Sequence, residues 1–137
     1  MKIMVCGSIG FGGIESIREF YDWLKHQGYE TIDHIKSHDM DYSHIEDFRD
    51  ETELSKKIVE HDLEFVKKAD VLVILADIPS FGTAIESFIA KNEGKKTILF
   101  SPNPLPTPWP LYFSDFHVKS KESLLETLNK ISVDNLL

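Results

Sequence analysis

"VLVILADIPSFGTAIE", Val71 to Glu86, decides the fold. Its first five residues are wholly apolar, as in a parallel strand covered on both faces. Asp77, Pro79 and Ser80 end that run, and Ala84, Ile85, Phe88 and Ile89 then recur at helical spacing until Gly94. A buried strand that passes through a short loop into an amphipathic helix is one half of a βαβ unit.

The same alternation extends in both directions. Upstream, Lys2 to Cys6 is a short apolar run, predicted as a first strand, and "GSIGFGG" (Gly7 to Gly13) is a glycine-rich loop. Ile14, Ile17, Phe20, Tyr21 and Leu24 follow at helical spacing, with Gly28 closing the helix. Tyr29 to Asp33 reads as a second strand. Residues 36–52 are polar without a clear period, which predicts a long loop or a loop with a short helix. Leu54, Ile58, Asp62, Phe65 and Val66 mark the helix that precedes Val71. Downstream, Lys96 to Phe100 is a fourth strand, "FHVKS" a short fifth, and Ser123 to Ile131 a terminal amphipathic helix. Between them "SPNPLPTPWP" carries five prolines in ten residues, so it is expected to be neither helix nor central strand.

The expected class is therefore α/β: a three-layer, flavodoxin-like parallel sheet of five strands in the order 2-1-3-4-5, with helices on both faces and right-handed crossovers. Residues 1–137 read as a single domain without internal repeat or linker. In such sheets a ligand sits outside the carboxyl ends of the strands, where the strand order reverses between strands 1 and 3. Two loops meet that condition, "GSIGFGG" and "DIPSFG".

Composition narrows the function. A hydrophobic fraction of 42% and a charged fraction of 28% are ordinary for a globular domain. A formal net charge of -8 argues against a nucleic-acid polymer or an anionic membrane as partner. A small anion remains compatible, because clustered backbone N–H groups at one helix end act locally. The single cysteine, Cys6, allows no intrachain disulfide. No apolar run approaches the roughly 20 residues of a membrane span, the first residues read as a strand rather than a signal peptide, and a cytoplasmic location is expected.

Within the two loops, several residues bear on chemistry. Gly10, Gly12 and Gly13 do not fit G-x-G-x-x-G, and no G-K-[ST] follows. The loop either lets backbone N–H groups and the Ser8 hydroxyl approach a ligand or is a tight turn requiring glycine. Ser80 is placed to cap the next helix, with Gly82 allowing close approach. Glu86 lies within its first two turns, where the helix dipole alone favours an acid by about 0.3–1 kcal/mol. Asp62 shares a helical stripe with Ile58 and Val66, the stripe that packs on the sheet. A carboxylate there is costly unless paired, hydrogen-bonded or protonated; Lys67 or a buried hydroxyl is one way to satisfy it. A second acid at the switch point suggests a carboxylate pair, the equipment of glycosidic chemistry.

Three segments, "CGSIG", "VEHDLEFVKKADVLV" and "PSFGTAIESFIAKNEGKKTILF", carry a resemblance. Together they resemble the nucleoside 2-deoxyribosyltransferase family and are most similar to its branch of 2'-deoxynucleoside 5'-phosphate N-hydrolases. The resemblance implies that Glu86 is the nucleophile that takes the deoxyribosyl group through a covalent intermediate. It implies that Asp62 contacts base or sugar and assists proton transfer. It implies that Ser80 binds a 5'-phosphate, that Gly7, Ser8 and Ile9 line the sugar-phosphate side, and that Gly82 forms the turn before the nucleophile. The chain departs from the family at Met4, where a Tyr commonly orients the nucleophile, and at Gly10, where the hydrolase branch carries Arg. Hydrolysis, transfer to a second base, and nucleotide binding without turnover are the three functions left open.

No cofactor is expected. The resemblance implies a homodimer in which a neighbouring chain completes the pocket, and the apolar Trp109, Leu111, Tyr112 and Phe113 suit such an interface. Phe11, Tyr42 and Trp109 are further aromatic residues, for base stacking or for core and interface. His34, His38, Asp39, Asp41 and His44 cluster in sequence, but their spacing fits no ligand pattern and no metal is expected. Cys6 reads as a small core residue.

Overall fold

A computed structural model of the chain describes residues 1–36 and 40–137. The strands are β1 (Lys2–Cys6), β2 (Glu30–Thr31), β3 (Val71–Leu75), β4 (Lys96–Phe100) and β5 (Phe116–Val118). The helices are α1 (Gly13–His26), α2 (Thr52–Lys68), α3 (Phe81–Asn92), α4 (Trp109–Tyr112) and α5 (Lys121–Val133). All strand pairs are parallel and the order is β2-β1-β3-β4-β5, as expected. The chain leaves β1 towards β2 on one side, while β3 pairs with β1 on the other. Cys6 lies beside Ile74 in that register, so the switch point opens at the carboxyl ends of β1 and β3.

Period-two alternation divides the core between the faces. Ile3, Val5, Val71, Val73 and Ile98 point to one side, under Ile14, Ile17, Tyr21 and Leu24 of α1 and Leu124, Leu128 and Ile131 of α5. Met4, Cys6, Leu72, Ile74 and Leu99 point to the other, against Val66 of α2 and Ala90 of α3. Burial on both faces is why these strands are continuous apolar runs. Among the described residues, no helix is long and apolar enough to cross a membrane.

Three boundaries differ from expectation. β2 keeps only Glu30–Thr31 of the segment 29–33, because β1 pairs with it at just two positions before the chain turns away. The polar stretch 36–52 belongs to a connection from β2 to α2 that buries more than its composition suggests. His34 and Ile35 just before it, and Met40 within it, are all buried. The proline-rich stretch ends in the one-turn α4, with Pro110 at an early position. A proline in the first turn forfeits no helical hydrogen bond, so the expectation of no helix holds for 101–108 but fails at Trp109.

Candidate active site

α3 begins at Phe81 behind Ser80, whose hydroxyl accepts a hydrogen bond from the Thr83 N–H at 3.2 Å. Ser80 is thus the helix cap its position predicts. Glu86 follows in the second turn, beyond the reach over which the dipole stabilises an acid. Its side chain is buried, 8% exposed, and Oε2 lies 4.0 Å from the Cys6 thiol at the end of β1. A Cβ at Gly82 would stand 3.8 Å from Ser80 Oγ and 3.9 Å from Glu86 Oε1. Ser80, Gly82 and Glu86 therefore surround one point at the amino end of α3. Burial, then the nearby Asp62 charge, pushes the Glu86 carboxyl up to about 8 from its ordinary 4.5.

Asp62 comes from α2, on the stripe with buried Ile58 and Val66. Its partner is neither Lys67 nor a buried hydroxyl. The Asp62 Oδ1 atom lies 3.1 Å from His61 Nδ1, and both side chains are largely covered. Burial raises the Asp62 carboxyl, and the hydrogen bond and charge of His61 offset part of that rise. The Tyr42 phenol is pushed up to about 12, first by burial and then by Asp62 and Glu86, so it is within electrostatic reach of both acids. Tyr42 is half-buried against the first core, its ring 5.7 Å from Phe48. The arrangement gathers two acids, a thiol, an imidazole and a phenol around the open end of β1 and β3.

The loop after β1 supplies the other wall. Gly7 is packed tightly, since a Cβ there would meet Leu75 Cβ at 3.3 Å and Ile17 at 3.4 Å. The Ser8 hydroxyl turns back to the Gly10 carbonyl at 3.3 Å. The Ile9 side chain is buried in the first core, and its carbonyl accepts a hydrogen bond from the Ile14 N–H at 3.2 Å. Gly10 has open space where a Cβ would stand. Phe11 and Gly12 adopt left-handed backbone, φ 55° and 79°, so the turn does require glycine at position 12. A Cβ at Gly13 would collide with the Ser8 carbonyl. Phe11 is 96% exposed and holds a backbone conformation that costs a non-glycine residue about 1 kcal/mol, so it is no core residue.

Met4 is fully buried in the second core. Of the residues considered as metal ligands, His38 and Asp39 lie outside the described residues. His34 is buried with Nδ1 2.8 Å from the Tyr21 hydroxyl, and Asp41 is engaged by Ser43 and Arg18. Among the described residues no group of three metal-ligating side chains gathers. Sequence reasoning gave no role to His61 and left Cys6 in the core alone. The "HD" pair of the motif was the available signal for His61, but adjacent helical residues ordinarily diverge.

A 2-deoxyribosyltransferase of Bacillus psychrosaccharolyticus superposes on the chain with a TM-score of 0.70, at 17% identity over 90% of each chain. The chain has the 2-deoxyribosyltransferase fold. A conserved protein of Enterococcus faecalis V583 matches with a TM-score of 0.69 at 17% identity, over 95% of this chain and 98% of that one. A CMP N-glycosidase of Clostridium botulinum matches with a TM-score of 0.55 at 17% identity, over 94% and 99%. No protein-family model matches the chain, and no curated protein matches it in sequence. The likeness is one of architecture.

Proposed function

We propose that the chain is an N-glycosidase that cleaves the base–sugar bond of 2'-deoxynucleoside 5'-monophosphates through a covalent intermediate on Glu86. The observation that carries this reading is the carboxylate pair at the switch point, buried Glu86 against Cys6 and half-buried Asp62 against His61. Burial opposes the Glu86 charge. An oxocarbenium-like sugar at C1' would supply the missing positive charge, so the carboxylate is stabilised most at the transition state. Asp62 assists the departing base, and water then attacks C1' to release deoxyribose 5-phosphate. Ser80 and the first N–H groups of α3 form the anion site that a 5'-phosphate would occupy. The solved structures of like fold include an enzyme named for CMP, a nucleoside monophosphate, which supports a substrate of this class.

Transfer of deoxyribose to a second base is the neighbouring reading, favoured by the likeness to a 2-deoxyribosyltransferase. The test is chromatography of free base after incubation with deoxynucleosides and their 5'-monophosphates, with and without an acceptor base, for the parent and Glu86→Gln. Base released only from monophosphates and only by the parent supports hydrolysis. New nucleosides formed with acceptor support transfer. Nucleotide binding without turnover in the parent overturns both.

The same reading includes a homodimer. Phe81, Ile85 and Phe88 of α3 and Trp109 and Tyr112 of α4 are exposed, and the Phe88 and Phe113 rings, 5.7 Å apart, join the two helices. Of these, Ile85, Phe88 and Trp109 line an apolar cleft of about 480 Å³ together with Ile78, Thr83 and Phe113. An apolar face this continuous suits a second copy of the chain. A gel-filtration mass of one chain at micromolar concentration would refute it.

A further inference from the structure

Consecutive side chains on a helix leave it about 100° apart and do not normally meet. His61 and Asp62 are consecutive on α2, yet Nδ1 and Oδ1 are 3.1 Å apart. Both side chains must bend toward one groove for that contact. The Phe65 ring, one turn on, backs the imidazole at 4.7 Å between centroids with the planes tilted by 36°. Phe65 also faces the buried His34 ring at 6.5 Å. The imidazole is thus held from below while its Nδ1 edge faces the carboxylate.

We propose that His61 is a positioning residue that, through its Nδ1···Oδ1 hydrogen bond, aims the Asp62 carboxylate at the cleft. The proposal rests on the proposed function only for what Asp62 does to substrate; the pairing itself is independent of it. A neutral imidazole donates from Nδ1 to the carboxylate, and an imidazolium adds a charge. Either favours the ionised acid. The titratable groups that feel the Asp62 charge are Glu86 from α3, the Cys6 thiol from β1 and the Tyr42 phenol from the connection between β2 and α2. His34 stands beyond Phe65, and Lys57 lies one turn earlier on α2. Without His61, Asp62 would face the same burial with no compensating donor. His61 thus sets where between burial and hydrogen bonding the Asp62 carboxyl gains and loses its proton.

The test is a titration of the Asp62 carboxyl carbon by NMR in protein labelled at aspartate, assigned with Asp62→Asn. Parent, His61→Ala and His61→Asn are compared, because the Asn amide reproduces a donor at the Nδ1 position. The midpoint should lie highest in His61→Ala, lowest in the parent and between them in His61→Asn. A midpoint in His61→Ala equal to or below the parent's overturns the proposal, provided the variant melts cooperatively. If His61→Ala does not fold, the ordering of His61→Asn above the parent decides alone. Where the parent releases base, kcat in His61→Ala should fall about tenfold with KM within about twofold, and His61→Asn should recover part of the loss. A parent that releases no base counts against the glycosidase reading while the titration still judges the pair.

Discussion

The Cys6 thiol at the end of β1 lies 4.0 Å from Glu86 Oε2 in the second turn of α3, with both groups buried. The contact joins a strand end to a helix across the switch point. It also places a hydrogen-bond donor on Glu86 in a chain whose position 4 holds a buried methionine.

Cys6→Ala removes that donor and leaves the carboxyl facing burial and the Asp62 charge. The pH profile of base release should move to higher pH by about half a unit to one unit, and kcat should fall about tenfold. Cys6→Ser, which keeps a donor on a shorter arm, should fall between. A profile identical in parent and Cys6→Ala would mean that the thiol only fills space.

Glu86 should make stability depend on pH. The unfolded carboxyl ionises near 4.5, whereas the folded one keeps its proton to about 8. The folded state thus binds more protons between those values, and stability falls as pH rises through that window. Asp62, also raised, acts in the same direction. Glu86→Gln should match the parent below the window and exceed it above by about 3–5 kcal/mol, because each tenfold change in proton affinity is worth about 1.4 kcal/mol. Denaturant melts of both proteins at several pH values check this; a parent as stable as the variant at high pH would contradict it.

His34 works from the acid side. Burial, then the charge of His61, lowers its imidazole to about 4 from 6.5, so the folded state holds it neutral while the unfolded state takes up a proton. Stability should therefore fall as pH drops from 6.5 toward 4. His34→Asn, which retains a polar group near the Tyr21 hydroxyl, should flatten that slope. Melts showing equal slopes in parent and variant would exclude His34 as the cause.

The loop after β1 should tolerate change at Gly10 and not at Gly13. Gly10→Arg enters open space and should alter stability by less than about 0.5 kcal/mol. A guanidinium there would face a bound 5'-phosphate and should tighten monophosphate binding about tenfold, without effect on the unphosphorylated nucleoside. Gly13→Ala drives a methyl into the Ser8 carbonyl and should cost about 3 kcal/mol or more. Thermal melts and calorimetric titration of both variants separate these outcomes.

The sheet order and the helical faces were legible because they rest on local periodicity. "VLVIL" is apolar throughout since both its faces are covered, and Ile14, Ile17, Tyr21 and Leu24 repeat at helical spacing since one face of α1 is. The connection before α2 was opaque because its burial is not periodic: Met40 is buried within a polar stretch of sequence, and His34 is buried with its ring nitrogen against the Tyr21 hydroxyl. α4 was missed because proline weighs against helices everywhere except in their first turn.

By itself the sequence determined the parallel α/β sheet and its switch point, and it singled out Ser80, Gly82, Glu86 and Asp62 as candidates. Strand and helix patterns are short-range and need only the chain's own periodicity. The tertiary structure alone decided which groups meet. Glu86 finds Cys6 from 80 positions away, and Asp62 finds its own neighbour His61 rather than Lys67. Such partnerships depend on side-chain direction and on the exclusion of water, and both exist only once the sheet and helices have packed.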